Sequence, residues 1–531
     1  MIRIRNLKVP VEKDGEDYLL SKIAKKLGVS LREISFFQIV KKSIDARDKE
    51  NIYFVYEVDI SSKNEKNLLK RNHDNSIFLS PREEYQFPVV GTEEIKTRPV
   101  IVGSGPAGIF SAYLLAEAGY RPIILERGEK IEDRVKTVER FFETNELNPN
   151  SNIQFGEGGA GTFSDGKLNT LVKDKAFRGK KVFEIFVENG APEEIIYLAK
   201  PHIGTDILRQ VIISMREKII SWGGEFRYSS LVTDILTEDG KVVGVEINKE
   251  EKLLTDVLVL AIGHSARDTF YLLDKKNLSM KPKNFAVGLR IEHPQAMINK
   301  SQYSSFASLL PSASYKLTYQ SQSGRGVYTF CMCPGGYVVN ASSEKKMLAV
   351  NGMSNYQREG ENANSAIVVT VNSKDYGDQL FSGLEFQRKL EKKAYELGNG
   401  FIPIQLYEDF ASGRKTDKLG EVIPAVKGKY SFADLNDLFS KDITDSMKEA
   451  IASFGRKIEG FDRKDAILLG VESRTSSPIM MVRDEEGESN IKGIYPCGEG
   501  SGHAGGITTA AMDGIKIAES IAKKYRPFSK L

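Results

Sequence analysis

Cysteine is scarce: three in 531 residues. Three cannot build a disulfide framework, so a reducing cytoplasm is the expected compartment. No cysteine or histidine spacing fits a zinc site or an iron–sulfur cluster. Charge of one sign is missing too. Lys and Arg total 75 against 72 Asp and Glu, a formal net charge of +3. That balance argues against a bulk electrostatic nucleic-acid binder and leaves only a local basic patch open. The opening "MIRIRNLKVPVEKDGEDY" lacks the apolar core of a signal peptide. The longest apolar stretch, 99 to 125, is broken by glycines, prolines, Glu117 and Arg121. It reads as a buried strand–helix–strand and not as a membrane span.

The length allows two to four domains. Residues 1 to 95 predict a small α+β module: "IRIRNLKV" alternates like a strand, "EDYLLSKIAKKLG" has helical spacing, and "ISFFQIVKKSIDAR" and "YFVYEVDI" read as further strands. "GTEEIKTRP" reads as a linker. Residues 96 to 280 predict an α/β unit and 281 to 470 a β-rich insert with two helices. Residues 471 to 531 predict a return to the first unit through a strand, a glycine loop and a closing helix. No internal repeat or low-complexity tract is present.

"PVIVGSGPAG" carries Gly103, Gly105 and Gly108 at GxGxxG spacing between an apolar strand and a helix beginning near Pro106. Gly103 permits the tight turn, Gly105 lets backbone approach phosphate, and Gly108 lets helix pack on strand. The helix N-terminus offers free N–H groups to a pyrophosphate. Glu126 closes the second strand and is placed to accept hydrogen bonds from a ribose, which disfavours a 2′-phosphate. This local pattern predicts a dinucleotide without separating NAD from FAD.

Two remote motifs separate them. "VLAIGHSARD" (259 to 268) is a strand ending in a small-residue turn, and "GIYPCGEGSGHAGGI" (493 to 507) is a strand with an acid at its tip, then glycines and a helix. With these, the sequence resembles the two-dinucleotide-binding flavoproteins. "FGEGGAGTFSDGKL", "KPHIGTD", "FAVGLRIEHPQ", "CMCPGG" and "ESRTSSPI" narrow the resemblance to a bacterial family of uncharacterised FAD-dependent dehydrogenases. The resemblance covers nearly the whole chain. It implies a Rossmann-like FAD-binding domain split by a β-rich α+β substrate domain and preceded by the N-terminal module, with FAD held non-covalently by default. Cofactor contacts are implied for Pro106, Ala107 and Arg127 beside the fingerprint, for Gly158, Gly159, Gly161 and Thr162 in the second glycine loop, and for Val232, Ala261 and Gly263. Glu499, after Gly498, is implied as the ribityl or pyrophosphate-side acid, and Gly505, Gly506 and Ile507 as neighbours of the flavin pyrimidine ring.

FAD carries the redox step and the protein supplies orientation and electrostatics. Ser164, Asp165 and Lys167 are candidates to bond the ring or the substrate. Histidine is a natural proton donor near neutral pH. Of five histidines, four (His202, His264, His293 and His503) lie in motif-like segments. His202 and His293 are the proton-transfer candidates, since neither belongs to a generic FAD motif. Arg290 precedes His293 by three residues, so strand alternation puts them on opposite faces. Arg474 reads either as an anion binder or as a salt-bridged loop arginine. Cys331 and Cys333 form CxC; same-face residues on a strand rarely have easy disulfide geometry, which favours packing over a redox dithiol. The CxxxxC of disulfide reductases is absent.

The expected activity is that of an FAD-dependent oxidoreductase passing hydride between flavin N5 and a small substrate. No second nucleotide fingerprint occurs between 281 and 470, so NADH or NADPH is expected at most as a transient donor. RNA modification and a non-catalytic redox sensor are the alternatives. A protein partner at the N-terminal module stays open.

Overall fold

Short apolar runs build the central sheet. The computed structural model describes residues 1–528. Five parallel strands lie in the order Ile494–Pro496, Leu258–Leu260, Val100–Val102, Ile123–Leu125 and Glu225–Arg227. Four of the five are three-residue apolar runs, as strands covered on both faces must be. One face carries Pro106–Glu117, Arg178–Glu188, Gly204–Ser221 and Ile507–Lys524. Phe110 meets Phe186 edge to face at 5.1 Å inside this layer. A Cβ at Gly514 would lie 2.2 Å from the Ala107 carbonyl oxygen. Glycine there lets the closing helix lie directly on the fingerprint helix. The other face is covered by an antiparallel meander, Val232–Glu238, Lys241–Ile247 and Glu251–Leu254, together with the helix Arg267–Lys275.

Between Leu260 and Ile494 the chain leaves this sheet and comes back. The crossing is a two-stranded antiparallel pair, Met280–Pro282 with Ile479–Met481. Beyond it stands a seven-stranded mixed sheet in the order Thr318–Gln320, Gly326–Cys333, Asn362–Val371, Phe285–Pro294, Ile467–Glu472, Ile402–Leu406 and Tyr430–Phe432. Its apolar residues pack with the helix Lys441–Gly455 through Met447, Ile451 and Phe454. The architecture is therefore α/β with a Rossmann-like unit split by a β-rich insert.

The N-terminal module is a four-stranded antiparallel sheet, ordered Ile34–Asp45, Tyr53–Ser62, Ile2–Pro10 and Ile77–Leu79. A register shift between Ile4 and Leu7 keeps Ile4, Leu7 and Val9 of Ile2–Pro10 all buried, packed with Leu19 and Ile23 of the helix Glu16–Leu27. Buried Arg3 donates to both Asp59 carboxylate oxygens, at 2.8 and 2.9 Å. The module is docked, not dangling. The Lys42 N–H donates to the Tyr197 carbonyl at 2.7 Å, the Ala199 N–H donates to the Lys42 carbonyl at 2.9 Å, and Tyr303, Phe306 and Leu310 of the insert pack on its core. The expected linker is pinned as well: Glu93–Glu94 pairs in parallel with Tyr525–Arg526, and the Gly91 N–H donates to the Ala522 carbonyl at 2.7 Å. Among the described residues no helix is long and apolar enough to cross a membrane.

Candidate active site in a glycine-lined cleft

A cleft of about 580 Å³ opens at the C-terminal edge of the parallel strands, within the usual size of a cofactor site. Five separated segments reach it: Gly103 to Ala107, Glu126 and Arg127, Gly159 and Gly161, Ala261 to Ala266, and Glu499 with Gly505 to Ile507. Val232 lines it from the meander. Four residues expected at the cofactor stand just behind the wall. A Cβ at Gly108 would meet the Gly103 carbonyl at 1.9 Å, and one at Gly498 would meet the Ala107 side chain at 2.6 Å. Gly158 faces Thr162, whose hydroxyl donates to the Glu157 carbonyl at 3.3 Å. These four shape the loops and do not line the cavity.

Glu126 has a different geometry from the ribose contact expected of it. Its carboxylate accepts from the Ser104 N–H and hydroxyl at 3.0 and 2.7 Å, and from the Gly128 and Gly156 N–H groups at 2.9 and 3.0 Å. Four protein donors fill its acceptor capacity, so it ties three loops together at the cleft edge. Arg127 lines the cleft with its guanidinium paired to Asp268 at 2.6 Å and stacked over Phe155.

Fully buried Arg134 holds the second glycine loop. Its guanidinium donates to the carbonyls of Asn152, Ile153, Gly156, Glu157 and Gly159 at 2.6 to 3.2 Å. Burial pushes its pKa down to about 9. A Cβ at Gly156 would sit 2.3 Å from the Arg134 Cδ, which makes glycine obligatory beside it. No sequence motif marks Arg134, because its partners are backbone carbonyls.

The cleft fits a dinucleotide on its own terms. The Nε2 of His264, a lining residue, is buried without a partner. A Cβ placed on Gly263, Gly505 or Gly506 would meet nothing within 4 Å. The helices Pro106–Glu117 and Ile507–Lys524 begin at Gly105 and Gly506 with no side-chain cap, so their first N–H groups face the cleft uncapped. An open glycine cradle, an orphaned ring nitrogen and two uncapped helix starts are donors and space that FAD would use.

At its far end the cleft meets the insert. Phe330, Cys331, Asn351, Glu472 and Arg474 line it there, opposite Asp165 and Lys167. Lys167 pairs with Asp165 at 3.1 Å and donates to the Met332 carbonyl. Arg358 also pairs with Asp165, at 2.5 Å. Glu472 is buried at the end of the strand Ile467–Glu472, and burial pushes its pKa up to about 7. Sequence reasoning gave Glu472 no role; the signal was a lone acid closing the apolar run "AILLGV".

The residues expected to be catalytic are dispersed. His202 lies outside the lining: its Nε2 donates to the Tyr356 carbonyl at 2.8 Å, its ring stacks on Tyr356, and burial lowers its pKa. His293 is wholly buried, donates from Nε2 to the Phe461 carbonyl at 2.7 Å, and burial lowers its pKa to about 4. Neither reaches the cleft, and both are neutral at pH 7. Arg290 is also wholly buried; it lies beneath the cleft floor, donating to Glu472 at 2.9 Å, Asn364 at 2.6 Å, Asn351 at 3.1 Å and the Cys331 carbonyl at 3.2 Å. Arg474 lines the cleft, but its guanidinium is paired with buried Glu391 at 2.7 and 2.8 Å and donates to Ser265 and Ser343. It takes the salt-bridged form of its two readings.

Known proteins share parts of this chain. Residues 284–475 match a family model described as FAD-dependent protein, C-terminal domain-like; 101–150 match an NAD(P)-binding Rossmann-like domain, and 1–61 a domain of unknown function. An uncharacterised protein of Clostridium beijerinckii is 48% identical over 531 residues, covering 99% of each chain. Among solved structures, a flavin-dependent brominase variant is similar at 15% identity over 80% of this chain and 79% of that one, with a TM-score of 0.37. Glycine oxidase from Geobacillus kaustophilus is similar at 10% identity over 82% of this chain and 97% of its own, with a TM-score of 0.36. The match across the insert and the near full-length kinship show that the chain belongs to the family of FAD-dependent proteins, with FAD as its cofactor.

Proposed function

We propose that the protein is an FAD-dependent oxidoreductase whose substrate is a small molecule seated at the insert end of the cleft. FAD, when bound, supplies hydride transfer. The chain supplies the pocket, the orientation and the proton. The observation that carries this reading is Glu472: a buried carboxyl on the cleft lining with a pKa of about 7, held at 2.9 Å by Arg290. A carboxyl so poised gives or takes a proton at neutral pH, which an ordinary surface glutamate cannot do. Arg290 fixes its orientation from below and acts as a positioning residue. Lys167 reaches from the opposite wall to the Met332 carbonyl, its positive charge partly balanced by Asp165. Apolar Phe330 lines the same end of the cleft. Glu472 thus takes the proton-handling role that sequence reasoning gave to His202 and His293.

Two stages of experiment test this. Photoreduced holoenzyme is mixed anaerobically with a panel of small metabolites, and flavin reoxidation is followed; NADH and NADPH are offered to the oxidised form. With a substrate in hand, the pH profile of the half-reaction is measured. A transition near pH 7 is expected in wild type, and its disappearance in Glu472→Gln. A profile unchanged by that substitution would remove Glu472 from the role.

A further inference from the structure

The CxC of the insert sits where a strand breaks. Pairing between Gly326–Cys333 and Asn362–Val371 slips between Phe330 and Cys333, so Cys331 and Met332 on one strand stand against Ser365 alone on the other. Cys331 occupies the bulge with φ +44°, a left-handed backbone that non-glycine residues rarely adopt. The two cysteines therefore do not share the flat strand whose geometry would oppose a bond between them. The Cys333 thiol turns back onto its neighbour and donates to the Cys331 carbonyl at 3.3 Å.

The two cysteines differ in access. Cys331 is partly exposed and lines the cleft, while Cys333 is buried behind it. The charges around them come from both sides of the cleft. Lys167 reaches over to the Met332 carbonyl, and Arg290 donates to the Cys331 carbonyl from below. Asp165, Glu472 and Arg358 complete the set. Neighbouring Cys333, Lys167 and Arg290 together hold the Cys331 thiol below its ordinary pKa, and Cys333 is pushed well above it. This favours the thiolate at Cys331, which faces the cavity, over Cys333 behind it, the asymmetry that thiol–disulfide exchange uses.

We propose that Cys331 and Cys333 form a second redox centre of the site, cycling between dithiol and disulfide in exchange with the bound flavin. This rests on the FAD assignment and adds a thiol couple to it. In one direction the S–S bond breaks on taking two electrons and one proton from reduced FAD, leaving Cys331 as thiolate and Cys333 as thiol. In the other, the S–S bond forms, the Cys333 S–H breaks, and two electrons and one proton pass to oxidised FAD. Cys331 is the sulfur the flavin meets, and Cys333 is the resolving partner.

Anaerobic dithionite titration of holoenzyme, mildly oxidised with diamide and then desalted, counts the electrons. Wild type is expected to take up about four electron equivalents per flavin, and Cys331→Ser or Cys333→Ser about two, since flavin and disulfide are each two-electron couples. In parallel, oxidised wild type is alkylated, digested and mapped by mass spectrometry. The peptide carrying Cys331 and Cys333 should be two hydrogens lighter and unalkylated, and should gain two labels after reduction. This arm needs no variant to fold. Uptake of about two equivalents by wild type, full alkylation of both cysteines after oxidation, or a bond to Cys497 in place of this pair would each overturn the proposal. A chain that binds no flavin at all would instead sink the FAD assignment, so the two failures are distinguishable.

Discussion

Arg134 is the residue on which the second glycine loop depends. Removing its guanidinium takes a donor from five loop carbonyls, of which Gly156 and Glu157 keep another, from the Gly159 N–H and the Thr162 hydroxyl. Arg134→Met should lower the unfolding free energy by about 3–5 kcal/mol, and weaken FAD retention more than Arg127→Met does. Urea denaturation and flavin release on dilution check this; equal flavin retention by the two variants would refute the role. At this scale the sequence was legible where chemistry resides in backbone. Gly103, Gly105, Gly505 and Gly506 announce themselves because their spacing encodes a local turn. Arg134 does not, because its partners are peptide groups 18 to 25 residues away in a loop with no regular pattern. His202 and His293 misled for the same reason. Their residue type suggested proton transfer, but only packing decides which cavity a ring faces.

The strand Phe285–Pro294 shows what elements add. Alternation along "FAVGLRIEHP" puts Arg290 and His293 on opposite faces, yet all of Arg290, Glu292 and His293 are buried, each bonded to a different neighbour. Glu292 accepts from the Ala425 N–H, and burial pushes its pKa up to about 8. With its pKa raised, the folded state holds a proton that the unfolded chain has released. The stabilising contribution is full below the ordinary carboxylate range and is lost as pH rises through about 8. Glu292→Gln should therefore be less pH-sensitive. Between pH 5 and pH 9 the wild type should lose a few kcal/mol that the variant keeps, on the order of 1.4 kcal/mol for each tenfold difference in proton affinity between folded and unfolded chain. Chemical denaturation at the two pH values measures the difference, and parallel losses in both proteins would contradict it.

Only the whole molecule closes the cleft. The strands meeting at the fingerprint come from 100, 123, 258 and 494, and the insert between the last two brings Cys331 and Glu472 to the same cavity. Sequence motifs gave the order of these pieces but no distance between Glu472 and Lys167. The N-terminal module is tied to both larger units, through Lys42 to residues 197 and 199 and through Phe306 to the insert. Phe306→Asp should loosen that docking: protease should cut near residues 80 to 90 several-fold sooner while flavin absorbance stays as in wild type. Unchanged cleavage would mean that Phe306 does not hold the module.

Occupation of this cleft by FAD is decided at Gly506. A Cβ there meets nothing within 4 Å, and the backbone is extended, so Gly506→Leu should fold as wild type does while projecting into the cradle. Purified wild type and variant are each reconstituted with excess FAD, desalted, and assayed for flavin absorbance and for thermal unfolding of the apoprotein. About one FAD per chain is expected in wild type, little or none in Gly506→Leu, and matching apoprotein melting in the two. A wild type that binds no FAD, or a variant that retains it fully, would contradict the assignment of the cleft.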